Sequence, residues 1–125
     1  TDFYKMSGRV QVDNLESIVS NCNHPNCFIL HQRNKPMVDT RIFKCQVQFY
    51  NEKLADSYLK VNDLDGNYLE HKYYHVLKGL PGIERFTSYP KFNSLSGSTG
   101  VSYKKGAFKY AIYQLLLKTG QLDIN

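Results

Sequence analysis

The sequence is short of the features that mark several large classes of protein. It has no tryptophan, three cysteines and four prolines among 125 residues. No apolar run approaches the length of about 20 residues that spans a bilayer, so we predict no membrane segment. Three cysteines leave at least one thiol unpaired within the chain, which favours a reducing, intracellular compartment. No internal repeat or low-complexity tract appears, and the length suits one domain over residues 1–125.

Signatures of catalysis are also missing. The chain shows no Ser-His-Asp order, no pair of catalytic carboxylates and no complete phosphate-binding loop, because the short run 97–100 lacks a following Gly-Lys-Ser/Thr. We predict a module without enzyme activity and without a cofactor, which belongs to a larger protein. Residues 1–5 do not resemble a signal peptide, and a start at Thr1 leads us to expect an excised piece of a longer chain.

Positive charge is concentrated in the C-terminal third of the chain. The whole sequence carries 16 lysines and arginines against 11 acidic residues, a net charge of +5. From Arg85 to Thr119 there are six basic residues and no acid, whereas residues 52–70 hold five of the eleven acids. A charge distribution polarised in this way favours electrostatic docking on a polyanion, nucleic acid included.

The strongest charge signal lies where the last predicted helix begins. A small flexible loop over residues 97–102 leads into a helix predicted from Tyr103 to Thr119, with Lys104 and Lys105 in its first turn. Backbone N–H groups are unpaired at a helix N-terminus, and the helix dipole makes that end positive. The two ammonium groups deepen this potential, so the helix start is a candidate phosphate-binding end.

The same helix has a predicted core side and a predicted solvent side. Lys105 and Lys109 are four residues apart and share the solvated face. Gly120 is the predicted C-cap. The predicted core side is an apolar stripe made of Ala107, Phe108, Ala111, Ile112, Leu115 and Leu116.

Upstream residues predict one short helix and two strands. Asp13 is a candidate cap for a helix over 14–21, residues 27–31 fit a strand and residues 34–36 a turn. Apolar and polar residues alternate from Phe43 to Tyr50, which predicts a strand in a sheet covered on one face only.

The segment 51–95 is less regular. Residues 54–61 fit either a strand or a helix, and Asp65-Gly66-Asn67 predicts a turn. Residues 68–77 alternate loosely, which indicates a strand, and residues 83–89 fit a short helical turn.

Two stretches resemble the double-stranded-RNA-binding domain. Residues 36–49 are similar to the second strand of that family with its preceding loop. Residues 100–107 resemble its run of a glycine, a serine, two lysines, any residue and alanine, and Ala111 falls where the family uses a second small residue. Leu15 lies as far upstream of Phe28 as the first-helix leucine of the family lies from its first-strand aromatic.

The resemblance covers about residues 13–50 and 95–119. It implies an α+β fold with the order α-β-β-β-α, an antiparallel sheet with two helices packed on one face. Because the family joins its second strand to its last helix by a much shorter segment, about residues 51–94 would be an insertion in a single domain.

The resemblance also implies a function, namely binding of double-stranded RNA by shape and by phosphate contacts. A-form RNA has a deep, narrow major groove whose bases side chains cannot read, but a protein can bridge the phosphates across it. The parent would be an RNA-processing protein such as a ribonuclease III-like enzyme, or a ribosomal protein. The candidate RNA contacts are Lys104, Lys105 and Lys109 on phosphates, Asn14, Glu16 and Ser17 on the minor groove, and Lys35 in the loop between the first two strands.

Three departures from the family keep a second hypothesis open. Phe108 stands where the family usually has a third lysine, and Glu16 is one residue away from the position of the family glutamate. The loop 34–38 lacks the glycine and the histidine that reach the minor groove. These departures favour a protein-interaction domain of the same fold that has lost RNA binding, with residues 51–94 as its partner surface.

The segment from Cys22 to Cys27 is the most ligand-like cluster in the chain. Cys22, His24 and Cys27 are candidate zinc ligands. The side chains available to complete a set of four are His31, Cys45, His71 and His75. The spacing fits no common zinc finger, and Cys27 falls on an apolar strand face where buried thiols are common, so we predict no metal site.

Overall fold

The protein has an α+β fold, seen here in a computed structural model that describes residues 1–8, 10–31, 36–62, 64, 68–93 and 106–119. The strands are β1 (Asp2–Met6), β2 (Cys27–Phe28), β3 (Leu30–His31), β4 (Met37–Val38), β5 (Ile42–Gln46) and β6 (Glu84–Arg85). The helices are α1 (Leu15–Asn21), α2 (Val47–Phe49), α3 (Leu69–Leu77) and α4 (Ala107–Thr119). Helix α2 continues through a π-helical turn (Tyr50–Leu54) into a 3-10 segment (Ala55–Lys60).

Four of these strands form one sheet in the order β1-β5-β2-β6. Strand β1 runs antiparallel to β5, and β2 pairs antiparallel with β5 where Cys27 faces Lys44. Strand β6 runs parallel to β2, which departs from the antiparallel sheet that the family resemblance implies. Strands β3 and β4 form a separate antiparallel pair.

Apolar side chains cover both faces of this sheet. The first cluster consists of Val12, Ile18, Cys27, Ile29, Ile42, Phe86, Tyr89, Phe92, Tyr113 and Leu117. The second cluster consists of Phe28, Val38, Phe43, Cys45, Leu54, Tyr73 and Leu77. Neighbouring strand residues alternate between the two clusters, as the strand pleat requires. Helices α1 and α4 therefore share one face, and α3 with the π-helical turn covers the other, so the prediction of a sheet covered on one side is wrong.

The predicted strand over residues 43–50 ends at Gln46. The last backbone bond towards the N-terminal strand joins Val47 N to Thr1 O over 3.0 Å, and the chain is helical from Val47 to Lys60. Helical winding leaves Val47 exposed and brings Leu54 into the second cluster, where it is almost fully buried. Of the two alternatives for residues 54–61, the structure has the helix.

The segment 68–77, predicted as a strand, is the helix α3. Leu69, Tyr73 and Leu77 are four residues apart, so one helical face carries all three towards the second cluster. The strand prediction comes from a loose alternation of apolar and polar residues over the same segment, which this four-residue spacing also produces. The segment 83–89 likewise differs from the predicted helical turn, because Glu84 and Arg85 pair with β2 as a short parallel strand.

Two smaller predictions are also corrected. The N-cap position of α1 is Asn14 rather than Asp13, whose carboxylate instead accepts a hydrogen bond from Asn93 Nδ2 over 3.3 Å. The strand predicted over residues 27–31 is interrupted at Ile29, whose carbonyl oxygen accepts a hydrogen bond from Asp39 N.

Helix α4 packs on the sheet with a different face from the predicted one. Tyr113 and Leu117 are buried in the first cluster, whereas Phe108 is 81% exposed. Ile112 and Leu115, also from the predicted stripe, are exposed as well. The helix is apolar nearly all round, so two stripes of helical period compete for the core. The buried stripe is the one with Tyr110, Tyr113 and Leu117, because its tyrosine rings pack against Tyr89, at 5.3 Å between centroids for Tyr113.

Candidate nucleic-acid interface

The first turn of α1 and the first turn of α4 are joined through the side chain of Asn14. Its Nδ2 donates to the carbonyl oxygen of Tyr89 over 3.0 Å and to the hydroxyl of Tyr110 over 3.3 Å. Its Oδ1 accepts a hydrogen bond of 2.7 Å from the backbone N–H of Lys91. The amide of Asn14 is therefore engaged within the protein, where it positions the two helices, and the RNA contact expected of it from the sequence stays a prediction.

A second amide holds the other side of the same junction. The Tyr110 hydroxyl donates to Tyr89 O over 2.7 Å. Gln114, one turn along α4, accepts from Tyr89 N over 2.7 Å and donates to Thr87 O over 2.9 Å. Burial raises the pKa of the Tyr110 hydroxyl, so this group stays a proton donor at neutral pH. Segment 87–91 is thus bound to both helices by short hydrogen bonds.

Sequence analysis missed Tyr110 and Gln114 as positioning residues. Both lie on a helix with many apolar residues, and their hydrogen-bond partners are backbone atoms 21 to 27 residues away in the sequence. The sequence does hold one signal, because Tyr110 and Gln114 are four residues apart and so place two polar groups on one face of a mostly apolar helix.

Two lysines are presented to solvent beside this junction. Lys91 is exposed, and its Nζ lies 5.0 Å from the centroid of the Tyr110 ring. Lys109, the neighbour of Tyr110 in α4, is exposed as predicted. Within the part of the chain that the structure describes, neither ammonium group takes part in an ion pair. Both lysines therefore place positive charge on the surface beside the junction.

The remaining predicted contacts fall into two groups. Glu16 and Ser17 are both exposed in the first turn of α1, just after Asn14, and Ser17 Oγ accepts a hydrogen bond from Asn21 Nδ2 over 3.3 Å. Lys35, Lys104 and Lys105 lie outside the described residues. Glu16 and Ser17 therefore lie close to the junction between α1 and α4.

The candidate zinc ligands do come together, but without the geometry of a metal centre. The sulfurs of Cys22 and Cys27 are 3.0 Å apart. The His24 ring turns to its own loop instead, with Nδ1 3.2 Å from Asn26 N. Among the described residues, no group of three or more His, Cys, Asp and Glu side chains is arranged to hold a metal ion.

A buried ionic cluster lies near the β3–β4 pair. Asp39 receives two hydrogen bonds from the Arg41 guanidinium, at 2.6 and 2.9 Å, and His31 Nε2 lies 3.6 Å from its Oδ2. Burial acts to raise the pKa of Asp39, but hydrogen bonds and the charge of Arg41 outweigh it and hold the pKa below its usual range. Since Asp39 and His31 are inaccessible, we assign the cluster a structural role.

No family model, curated protein or solved structure matches this chain. None of the helices in the described ranges combines the length and the apolar character needed to cross a membrane.

Proposed function

We propose that this chain is a non-catalytic module that binds double-stranded RNA through the surface around the start of α4. The supporting observation is the junction at Asn14, which brings the first turns of α1 and α4 together beside two exposed lysines, Lys91 and Lys109, that form no ion pair with any described residue. On this proposal, the module belongs to a larger RNA-processing or ribosomal protein.

Phosphate contacts would supply most of the affinity. Lys91 and Lys109 belong to the acid-free part of the sequence, which also contains Lys104 and Lys105. Each phosphate that a lysine neutralises releases condensed counterions, so binding weakens steeply as salt rises. Glu16 and Ser17 are the polar groups of α1 that would face 2′-hydroxyls in the minor groove. Selectivity would be for the A-form duplex, with little preference for sequence.

The test is a binding titration with a duplex RNA of about 20 base pairs, repeated with the matching DNA duplex. The Lys104→Ala/Lys105→Ala variant should bind the RNA at least about tenfold more weakly, which corresponds to about 1.4 kcal/mol. Lys53→Ala/Lys78→Ala is the matched control, because it removes the same charge from two exposed lysines elsewhere on the chain. Equal losses of affinity in both variants would mean that binding depends on net charge alone and not on this surface. Absence of binding by the wild type at low salt would refute the proposal.

A second candidate function, protein interaction through residues 51–94, is favoured by exposed apolar side chains in that segment. Leu59 is 68% and Leu64 98% exposed, and Tyr58 lies beside Leu59 with most of its surface in solvent. Solvent-exposed apolar residues that neighbour one another mark interaction sites more often than scattered ones do. On this hypothesis Tyr58→Ser/Leu59→Ser abolishes co-purification of a partner, while Lys104→Ala/Lys105→Ala leaves it unchanged.

A further inference from the structure

Two thiols from different elements meet beside the C-terminal end of α1. Cys22 follows the helix directly, and Cys27 is the first residue of β2. Their sulfurs are 3.0 Å apart, and both thiols point at the carbonyl oxygen of His24, over 3.7 and 3.5 Å. A disulfide bond is about 2 Å long, so a displacement of about 1 Å separates this pair from bonding distance.

The loop between the two cysteines is held in place from both sides. Asn26 Oδ1 accepts a hydrogen bond from Gln46 N over 2.9 Å, and Asn26 O accepts one from Glu84 N over 2.9 Å. The Lys44 ammonium donates to Cys22 O over 3.3 Å. These bonds tie the loop to β5 and β6, so the fold itself keeps the two sulfurs together.

The pair is also open to small reagents. A cleft of about 220 Å³ is lined by Cys22, His24, Cys27 and Arg85 among others, which is space for a molecule the size of a peroxide. Cys22 is partly exposed and Cys27 is buried. Burial raises the pKa of the Cys27 thiol to about 12, so Cys27 is protonated at neutral pH. The accessible Cys22 is therefore the thiol that attacks the peroxide first.

We propose that Cys22 and Cys27 are a reversible redox-modification site, which a hydroperoxide converts into an intramolecular disulfide. In the first step the Cys22 sulfur attacks one peroxide oxygen, the O–O bond breaks, and Cys22 becomes a sulfenic acid while the other oxygen leaves as water or an alcohol. In the second step the Cys27 sulfur attacks the Cys22 sulfur, the S–O bond breaks, and the hydroxyl leaves as water with the Cys27 proton. Two thiols are oxidised, and one peroxide is reduced.

The test uses the whole folded chain, reduced and then treated with a small excess of hydrogen peroxide. Intact mass spectrometry should show a loss of about 2 Da, and a peptide map should show one link, between Cys22 and Cys27. Cys45, fully buried in the second cluster, should remain available for alkylation after denaturation. A thiol reductant should restore the original mass. Retention of three free thiols, or a link that involves Cys45, would overturn the proposal.

The rate of disulfide formation shows whether the fold, and not only the short distance in sequence, brings Cys22 and Cys27 together. Because the loop is held by β5 and β6, linking should be at least about tenfold faster in the native protein than in urea. Cys22→Ser and Cys27→Ser should each abolish the loss of mass, whereas Cys45→Ser should preserve it. Equal rates in the two states would contradict a site built by the fold, and this comparison needs only the wild type.

Discussion

The two faces of the sheet are held in different ways. On the face of the second cluster, Phe28 stacks on Phe43 at 5.3 Å between centroids, and the edge of Tyr73 meets Phe43 at 6.1 Å. On the other face, the amide side chains of Asn14 and Gln114 both bind segment 87–91 and so link α1 to α4, in addition to the apolar packing of the first cluster. Apolar contacts contribute free energy with little direction, whereas hydrogen bonds to fixed backbone atoms define position. The face that carries the candidate interface is thus the one built for positioning.

The aromatic face should give the largest loss of stability. Phe43 is 2% exposed and touches rings on two sides, so Phe43→Ala removes buried surface and leaves a cavity. We expect the free energy of unfolding to fall by about 3–5 kcal/mol, measured by urea denaturation. Val47→Ala, at a half-exposed position just beyond β5, should cost less than about 0.5 kcal/mol. A small loss at Phe43 would mean that the second cluster is loosely packed.

Loss of the Asn14 amide, on the other face, should reduce stability less but should also change the position of the two helices. Asn14→Ala removes one side chain that makes three hydrogen bonds, and we expect the free energy of unfolding to fall by about 1–2 kcal/mol. Amide NMR signals of Lys91 and Tyr110 should shift, since both residues lose a direct partner. Asn23→Ala, on an exposed residue beside the same helix, is the matched control and should leave these signals in place. Unchanged signals in Asn14→Ala would argue against the junction.

The α+β class and two of the elements that carry the candidate interface were predictable from the sequence. The helix at residues 14–21 and the last helix up to Thr119 both follow from apolar residues at helical spacing, and both are present. Lys109 is exposed as predicted, although the apolar stripe expected on the opposite side of α4 is not the buried one. Each of these depends on local periodicity, which a sequence displays directly.

The features that were missed depend on contacts between distant residues. Residues 43–50 alternate like a strand, but β5 ends at Gln46 and helical winding from Val47 onwards buries Leu54. The hydrogen bonds of Asn14 join it to Tyr89 and Tyr110, which are 75 and 96 positions away in the sequence. Nothing in the residues around Asn14 distinguishes an amide that joins two helices from one that is exposed to solvent. Side-chain hydrogen bonds to remote backbone atoms are therefore the part of this site that sequence reasoning could not supply.

Helix α4 offers the finest comparison, because its two apolar stripes predict opposite results. In this structure Phe108 faces solvent and Leu117 faces the first cluster. Phe108→Ser should therefore change the free energy of unfolding by no more than about 0.5 kcal/mol, whereas Leu117→Ala should lower it by about 2–5 kcal/mol, both measured by urea denaturation. If Phe108→Ser proved the more damaging change, the stripe predicted from the sequence would be the buried one, and Lys109 would face a different direction. The small change expected for Phe108→Ser is thus the measurement that tests the orientation of α4 and of the candidate interface.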